Sequence, residues 1–174
     1  MFSGKSTAVI GLLRRNRVIG RKTLCITSIL DNRYTLDPRI TSHDYESHPA
    51  LAGRTLEPFL TNPKFMEADC VIIEEAQFFP DLVGFVLNAV EQLGKDVICV
   101  GLDGDSNRLP FGQLVALIPY CDSVKKLKAL CSRCGDGTEA IFTFRKSGDP
   151  NQISVGGPES YEPRCRWHFL EGRV

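Results

Sequence analysis

Three groups of residues in this sequence have the types and spacing to do chemistry. The first is Ser3-Gly4-Lys5-Ser6-Thr7, which has the form of the C-terminal half of a phosphate-binding loop. In the full pattern G-x-x-x-x-G-K-[ST], backbone N–H groups cradle phosphate, the lysine reaches the outer phosphates and the hydroxyl ligates Mg²⁺. Lys5 and Ser6 have those identities, while the pattern's first glycine would fall two positions before Met1. The second group is Glu74-Glu75, closing the apolar run Cys70-Val71-Ile72-Ile73. Acids at the end of a buried strand are poorly explained by packing. In open α/β sheets ligands bind beyond such strand ends, and an acidic residue there helps hold Mg²⁺ in phosphate-loop proteins. Adjacent side chains on a strand point to opposite faces, so one carboxylate can serve the metal and the other a nucleophile. The third group is Cys131-x-x-Cys134 with Cys165-x-x-His168. Two such knuckles joined by a β-ribbon have the spacing of a closed tetrahedral zinc site, with soft thiolates and an imidazole favouring Zn²⁺. Four protein ligands leave no open position, which makes the site structural.

The elements that must position these groups read as an α/β unit. Ala8, Val9, Leu12 and Leu13 predict a helix after the phosphate loop, fading near Arg14-Arg15-Asn16-Arg17 and stopped by Gly20. Its N-terminus would favour an anion. Thr23–Thr27, Cys70–Ile73 and Val97–Leu102 read as buried strands, and a helix from an Asp81 N-cap through Leu93 links the last two. The order of strand, polar turn and helix, without two-residue hairpin signals, predicts a parallel sheet. Residues 31–63 form a long polar connection of the functional kind, with Arg33 suited to a phosphate contact and His43 to a structural hydrogen bond. Gln113–Ile118 reads as a short helix ended by Pro119, and Ser123–Leu130 as a strand entering the cysteine cluster. Between the zinc knuckles lie a strand-like run, Ala140–Arg145, and a Gly-rich turn, Ser154–Tyr161, whose exposed tyrosine suits a loop that closes over a ligand. The expected fold is thus α/β, a phosphate-loop NTPase-like parallel sheet flanked by helices over residues 1–128 and N-terminally incomplete, followed by a zinc-ribbon lasso over 129–174.

Composition excludes several alternatives. A 43% hydrophobic share at zero net charge argues against disorder, and gives no electrostatic reason to expect nucleic acid or an anionic membrane as partner. No apolar run reaches the roughly 18 residues of a membrane span, and no signal-peptide pattern opens the chain, so a cytoplasmic protein is expected. Cys25, Cys70, Cys99 and Cys121 stand alone in apolar surroundings, as small buried residues do.

Taken together, these features resemble the zinc-containing type II thymidine kinases of bacteria, animals and large DNA viruses, over nearly the whole chain. MFSGKS is similar to the family's G-P-M-F-S-G-K-[ST] loop without its first two residues, and DNRY to its D-x-R-Y element. EEAQFF resembles D-E-[GA]-Q-F-F, LDGDSNRLPFG resembles L-D-G-x-x-x-R-x-P-F-G, and SVGGPESY resembles V-G-G-x-x-x-Y. The resemblance implies transfer of the γ-phosphoryl group of ATP to the 5′-hydroxyl of thymidine or deoxyuridine in nucleotide salvage, with Mg²⁺, a structural Zn²⁺ and a homotetrameric assembly. Carried over by position, Ser3, Gly4, Lys5, Ser6, Thr7 and Glu74 bind ATP and Mg²⁺, with Asp31, Arg33 and Arg108 near the phosphates. Glu75 becomes the base for the 5′-hydroxyl, and Met1, Phe78, Leu102, Phe111, Thr143 and Tyr161 line the thymine pocket. Three positions depart from the pattern: Glu74 stands where aspartate is common, Ser106 where animal members carry an aromatic residue, and the loop lacks its opening Gly-Pro. Met1 therefore reads as an internal methionine of a longer protein, and the 174-residue form is expected to have impaired stability and little kinase activity. Two other readings remain beside the kinase: a catalytically impaired fragment, and a zinc-ribbon module for nucleic acid, which the neutral charge disfavours.

Overall fold

The computed structural model describes residues 2–30, 39–41, 47–147, 151–153 and 156–172. Asp31, Arg33, His43 and Met1, singled out above, lie outside the described residues, as do Ser154 and Val155. In chain order the elements are α1 (Lys5–Val18), β1 (Thr23–Ser28), β2 (Arg39–Thr41), β3 (Ser47–Pro49), β4 (Leu51–Gly53), α2 (Pro63–Glu67), β5 (Cys70–Glu74), α3 (Leu82–Leu87), β6 (Asp96–Val100), β7 (Ala129–Leu130), β8 (Glu139–Ala140), β9 (Phe142–Arg145), β10 (Tyr161–Arg164) and α4 (Arg166–Glu171). Short 3₁₀ turns occupy Glu57–Thr61, Ala76–Phe78 and Val115–Tyr120, and α3 runs on into a π turn at Asn88–Gln92.

Four parallel strands in the order β4-β1-β5-β6 make the sheet. Alternation along each strand sends successive side chains to opposite faces, and both faces are apolar. Leu24, Ile26, Val71 and Ile73 point to one face, where Phe65 of α2 and Leu82 and Phe85 of α3 cover them together with Phe79. Cys25, Cys70 and Ile72 point to the other, beneath Val9 and Leu13 of α1. Fully burying each of the larger side chains contributes about 1.5–3 kcal/mol, so the central pair β1 and β5 anchors the molecule. Val71, Ile72 and Ile73 have no exposed surface at all. Burial also pushes the Cys25 thiol up to about 12, with the nearby Glu74 adding to the effect, as expected of an inert core residue.

After the sheet the chain forms two small antiparallel hairpins, β7 with β8 and β9 with β10, and α4 closes them. Phe169 of α4 is fully buried, with its ring 4.9 Å from that of Phe142 and 6.0 Å from that of Phe144.

Several local expectations need correction. Asp81 stands at the N-cap of α3 as expected, but its carboxylate makes no bond to that helix and accepts instead from the N–H groups of Leu56 (2.7 Å) and Glu57 (2.9 Å). Only Ala129 and Leu130 of the expected strand 123–130 are in a ladder, because no neighbouring described strand runs beside the lysine-rich part. The run Ala140–Arg145 is divided at Ile141 between two hairpins. Pro119 sits inside a 3₁₀ turn rather than ending a helix. Tyr161, expected to be exposed, is buried in β10 with the Arg145 guanidinium 5.4 Å from its ring.

Candidate active site and metal centre

The phosphate-loop remnant and the two glutamates meet at the C-terminal end of β5. Gly4 adopts φ 73°, a left-handed conformation that glycine reaches without strain, and turns the chain into α1 at Lys5. Ser6 in the first turn donates from Oγ to Oε1 of Glu74 at 2.7 Å. Glu74 is the last residue of β5 and is buried. Loop hydroxyl and strand-end carboxylate, 68 residues apart in sequence, therefore share one small volume. Both are hard oxygen donors, the kind Mg²⁺ takes beside substrate phosphates.

Glu75 leaves the strand. Its φ is 50°, uncommon for a non-glycine residue, and this kink rather than strand alternation gives it a direction different from that of Glu74. The 3₁₀ turn Ala76–Phe78 follows at once. Within it, buried Gln77 donates from Nε2 to Oε2 of Glu75 at 2.6 Å and accepts at Oε1 from the N–H of Leu102 at 3.1 Å. Phe78 meets Phe111 edge to face, with ring centroids 5.6 Å apart. Leu102, Phe78 and Phe111, all expected at the nucleoside pocket, are thus grouped around the turn that carries Glu75.

The loop after β6 is tied to the C-terminal hairpins. Oδ1 of buried Asp105 accepts from the N–H groups of Asn107 (2.7 Å) and Leu109 (2.9 Å), while Oδ2 accepts from Nε2 of Gln152 at 2.9 Å. Arg145 donates to the carbonyls of Asn151 (2.5 Å) and Gln152 (3.1 Å), which anchors the same segment to β9. Thr143 is buried two residues before Arg145. Arg108, at φ 66°, lays its guanidinium over Phe142 (5.7 Å) and Phe169 (5.2 Å) and so packs against the hairpins. Ser106 is buried in this loop.

The second centre is the cysteine cluster. Ligand atoms of Cys131, Cys134, Cys165 and His168 all lie within 4.8 Å of one another. Cys134 Sγ is 3.8 Å from Cys165 Sγ, and His168 Nδ1 is 3.6, 3.3 and 3.4 Å from the sulfurs of Cys131, Cys134 and Cys165. A tetrahedron with Zn–S bonds of about 2.3 Å has sulfur–sulfur edges of about 3.8 Å, so this donor set fits Zn²⁺ in size and chemistry. The Cys165 N–H donates to the Cys131 sulfur at 3.3 Å, and His168 Nε2 faces Glu171 at 3.9 Å. Burial opposes the Cys131 thiolate, yet N–H groups of Cys165, Arg133 and Cys134 hold its pKa down to about 6. Burial, then the contacts with Cys131 and Cys165, push Cys134 up to about 11. Deprotonated thiols and a neutral imidazole are the form in which such a donor set holds a cation, so binding releases protons.

A family model described as thymidine kinase matches residues 1–169. The chain belongs to the thymidine kinase family. It is 41% identical over 181 aligned residues to a thymidine kinase of Oryza sativa subsp. japonica, covering all of this chain and 65% of that protein. It is 38% identical to thymidine kinase a of Arabidopsis thaliana, covering all of this chain and 73% of that protein. A thymidine kinase of Yaba monkey tumor virus (strain VR587) is 39% identical over 95% of this chain and 88% of its own length. The chain thus spans about two thirds of the length of the rice relative and more of the other two.

The residues that sequence reasoning passed over in this family member are Gln77, Gly101 and Gly112. Gln77 and Gly112 were quoted within motifs and Gly101 within a strand run, but their importance lies in contacts with distant residues. A Cβ on Gly101 would come 2.3 Å from Gln77 Oε1, and one on Gly112 would come 2.1 Å from the Gln77 carbonyl oxygen. Two glycines in a strand-end loop are the only sequence signal of that close approach.

Proposed function

We propose that this protein transfers the γ-phosphoryl group of ATP to the 5′-hydroxyl of thymidine, and of deoxyuridine, for nucleotide salvage. The observation that carries this reading is the meeting of Ser6 and Glu74 at 2.7 Å, beside Glu75, in a chain of the thymidine kinase family. The N–H groups at the start of α1 receive the phosphates of ATP, with Ser3, Gly4, Lys5 and Thr7 around them and Asp31, Arg33 and Arg108 assigned nearby by resemblance. Ser6 and Glu74 would hold Mg²⁺, which neutralises charge on the transferring phosphate. Glu75 orients the 5′-hydroxyl and takes its proton as the new O–P bond forms. The bond from the γ-phosphorus to the β–γ bridging oxygen breaks, and ADP leaves with that electron pair. The thymine base is assigned to a pocket of Met1, Phe78, Leu102, Phe111, Thr143 and Tyr161, closed by the segment that Arg145 and Asp105 hold. Cys131, Cys134, Cys165 and His168 would hold Zn²⁺ as a purely structural ion, in a ribbon spanning residues 129–174 after an α/β domain over 1–128. A homotetramer in the cytoplasm completes the reading. No described helix is long and apolar enough to cross a membrane.

The test is direct. Purified protein is incubated with ATP, Mg²⁺ and thymidine, and the monophosphate is measured by chromatography. Glu75→Gln should lower kcat by about 10²–10⁴, the range expected for loss of a positioned base, with thymidine binding by calorimetry retained. A folded protein that phosphorylates no nucleoside would sink the proposal.

A further inference from the structure

We propose that Gln77 is the positioning residue that fixes the Glu75 carboxylate for the 5′-hydroxyl and couples it to the wall of the nucleoside pocket. This rests on the kinase reading above. Gln77 is only 3% exposed and sits between two groups that together determine the orientation of its amide. The backbone N–H of Leu102 can only donate, so the amide oxygen must face it at 3.1 Å. The amide nitrogen then points to Glu75 Oε2 at 2.6 Å, where it donates a charge-assisted hydrogen bond to the carboxylate.

Three further features fit this role and are hard to explain by packing alone. Glu75 holds φ 50°, so its direction is set by a strained backbone and needs a partner to settle the remaining side-chain torsions. Gly101 and Gly112 leave Gln77 a slot that any Cβ would close, at 2.3 Å from its amide oxygen and 2.1 Å from its carbonyl. The residue after Gln77 is Phe78, whose ring meets Phe111, so one short turn carries the hydrogen bond to the base and one face of the proposed pocket. A base oriented in this way meets the hydroxyl without searching rotamers, and misplacement by about 1 Å costs on the order of 10²-fold in rate.

The experiment compares wild-type protein with Gln77→Leu and Gln77→Glu. Gln77→Glu keeps an oxygen for the Leu102 N–H but has no N–H for Glu75, so it separates support of the loop from donation to the base. In both variants kcat should fall about 10–100-fold with the KM for thymidine changed less than about threefold. A readout independent of turnover is the side-chain amide N–H resonance of Gln77, assigned by its loss in Gln77→Leu. It should move upfield in Glu75→Gln, where a neutral acceptor replaces the charged one. If Gln77→Glu restores wild-type kcat, or if the Gln77 amide resonance is the same in wild type and folded Glu75→Gln, Gln77 is merely structural and the proposal falls. If the resonance moves as expected while wild-type protein phosphorylates no nucleoside, the Gln77–Glu75 contact stands and the kinase reading is the part that fails.

Discussion

A single backbone position decides how the site is held together. Gly112 has φ 57°, and a Cβ there would lie 2.1 Å from the carbonyl oxygen and 2.9 Å from the carbonyl carbon of Gln77. Both are main-chain atoms and cannot rotate away as a flexible side-chain end could. Gly112→Ala therefore combines left-handed strain of about 1 kcal/mol with displacement of the turn Ala76–Phe78. We expect a loss of at least about 2 kcal/mol in urea unfolding, with activity falling further than stability because Glu75 moves with that turn. An alanine variant with a wild-type unfolding midpoint would show that the turn does not need this clearance. Residue identity was the most legible level of this sequence. Ser6 and Glu74 could be singled out by type and spacing, and the structure brings them together at 2.7 Å. The left-handed kink at Glu75 and the contact of the loop after β6 with Gln77 could not be singled out, since neither leaves a local pattern.

At the scale of elements, the C-terminal hairpins owe their order to a few contacts. Among the described residues, the buried cluster at their base is Ala129, Cys131, Ala140 and Cys165, with Phe2 and Cys134 packed against it, and a second contact is the ring group around Phe169. Strands of two to four residues over so small a core have little stability of their own. Zn²⁺ ligation should supply the difference, and freshly purified protein should contain about one Zn²⁺ per chain. Trp167, the single tryptophan, lies between two of the ligands at 74% exposure and reports on this region alone. A chelator should change its fluorescence while the far-ultraviolet dichroism of the sheet and its helices persists. Loss of both signals together would mean that the metal centre and the sheet form one cooperative unit. Long apolar runs and paired cysteines made these elements readable in the sequence. The N-cap position of Asp81 was legible but the partners of its carboxylate, the N–H groups of Leu56 and Glu57, were not, and Tyr161 was misread because Arg145, sixteen positions earlier, covers it. Both cases have one cause: a polar or amphipathic side chain takes its place from distant neighbours that local pattern does not reveal.

For the whole molecule, the order of strands predicts where the structure opens first. β1 has a ladder on each side, to β4 and β5, and β5 has one to β1 and one to β6. β6 pairs with β5 alone among the described strands, and its residues Val97–Val100 are half-buried where those of β5 are fully buried. In a parallel strand, successive N–H groups point alternately to the two neighbours, so a strand with one neighbour has about half of its amides in a ladder. Hydrogen exchange should therefore be slowest throughout β5 and the paired part of β1. In β6 it should alternate, with every second amide exchanging at least about tenfold faster than its counterpart in β5. The alternation distinguishes an open edge from general loosening, which would speed all five β6 amides alike. Uniformly slow exchange along β6 would have the opposite meaning: in solution its outer edge is covered, by another part of the polypeptide or by a second copy. Repeating the measurement over a hundredfold range of protein concentration separates those two cases, since only the second depends on concentration.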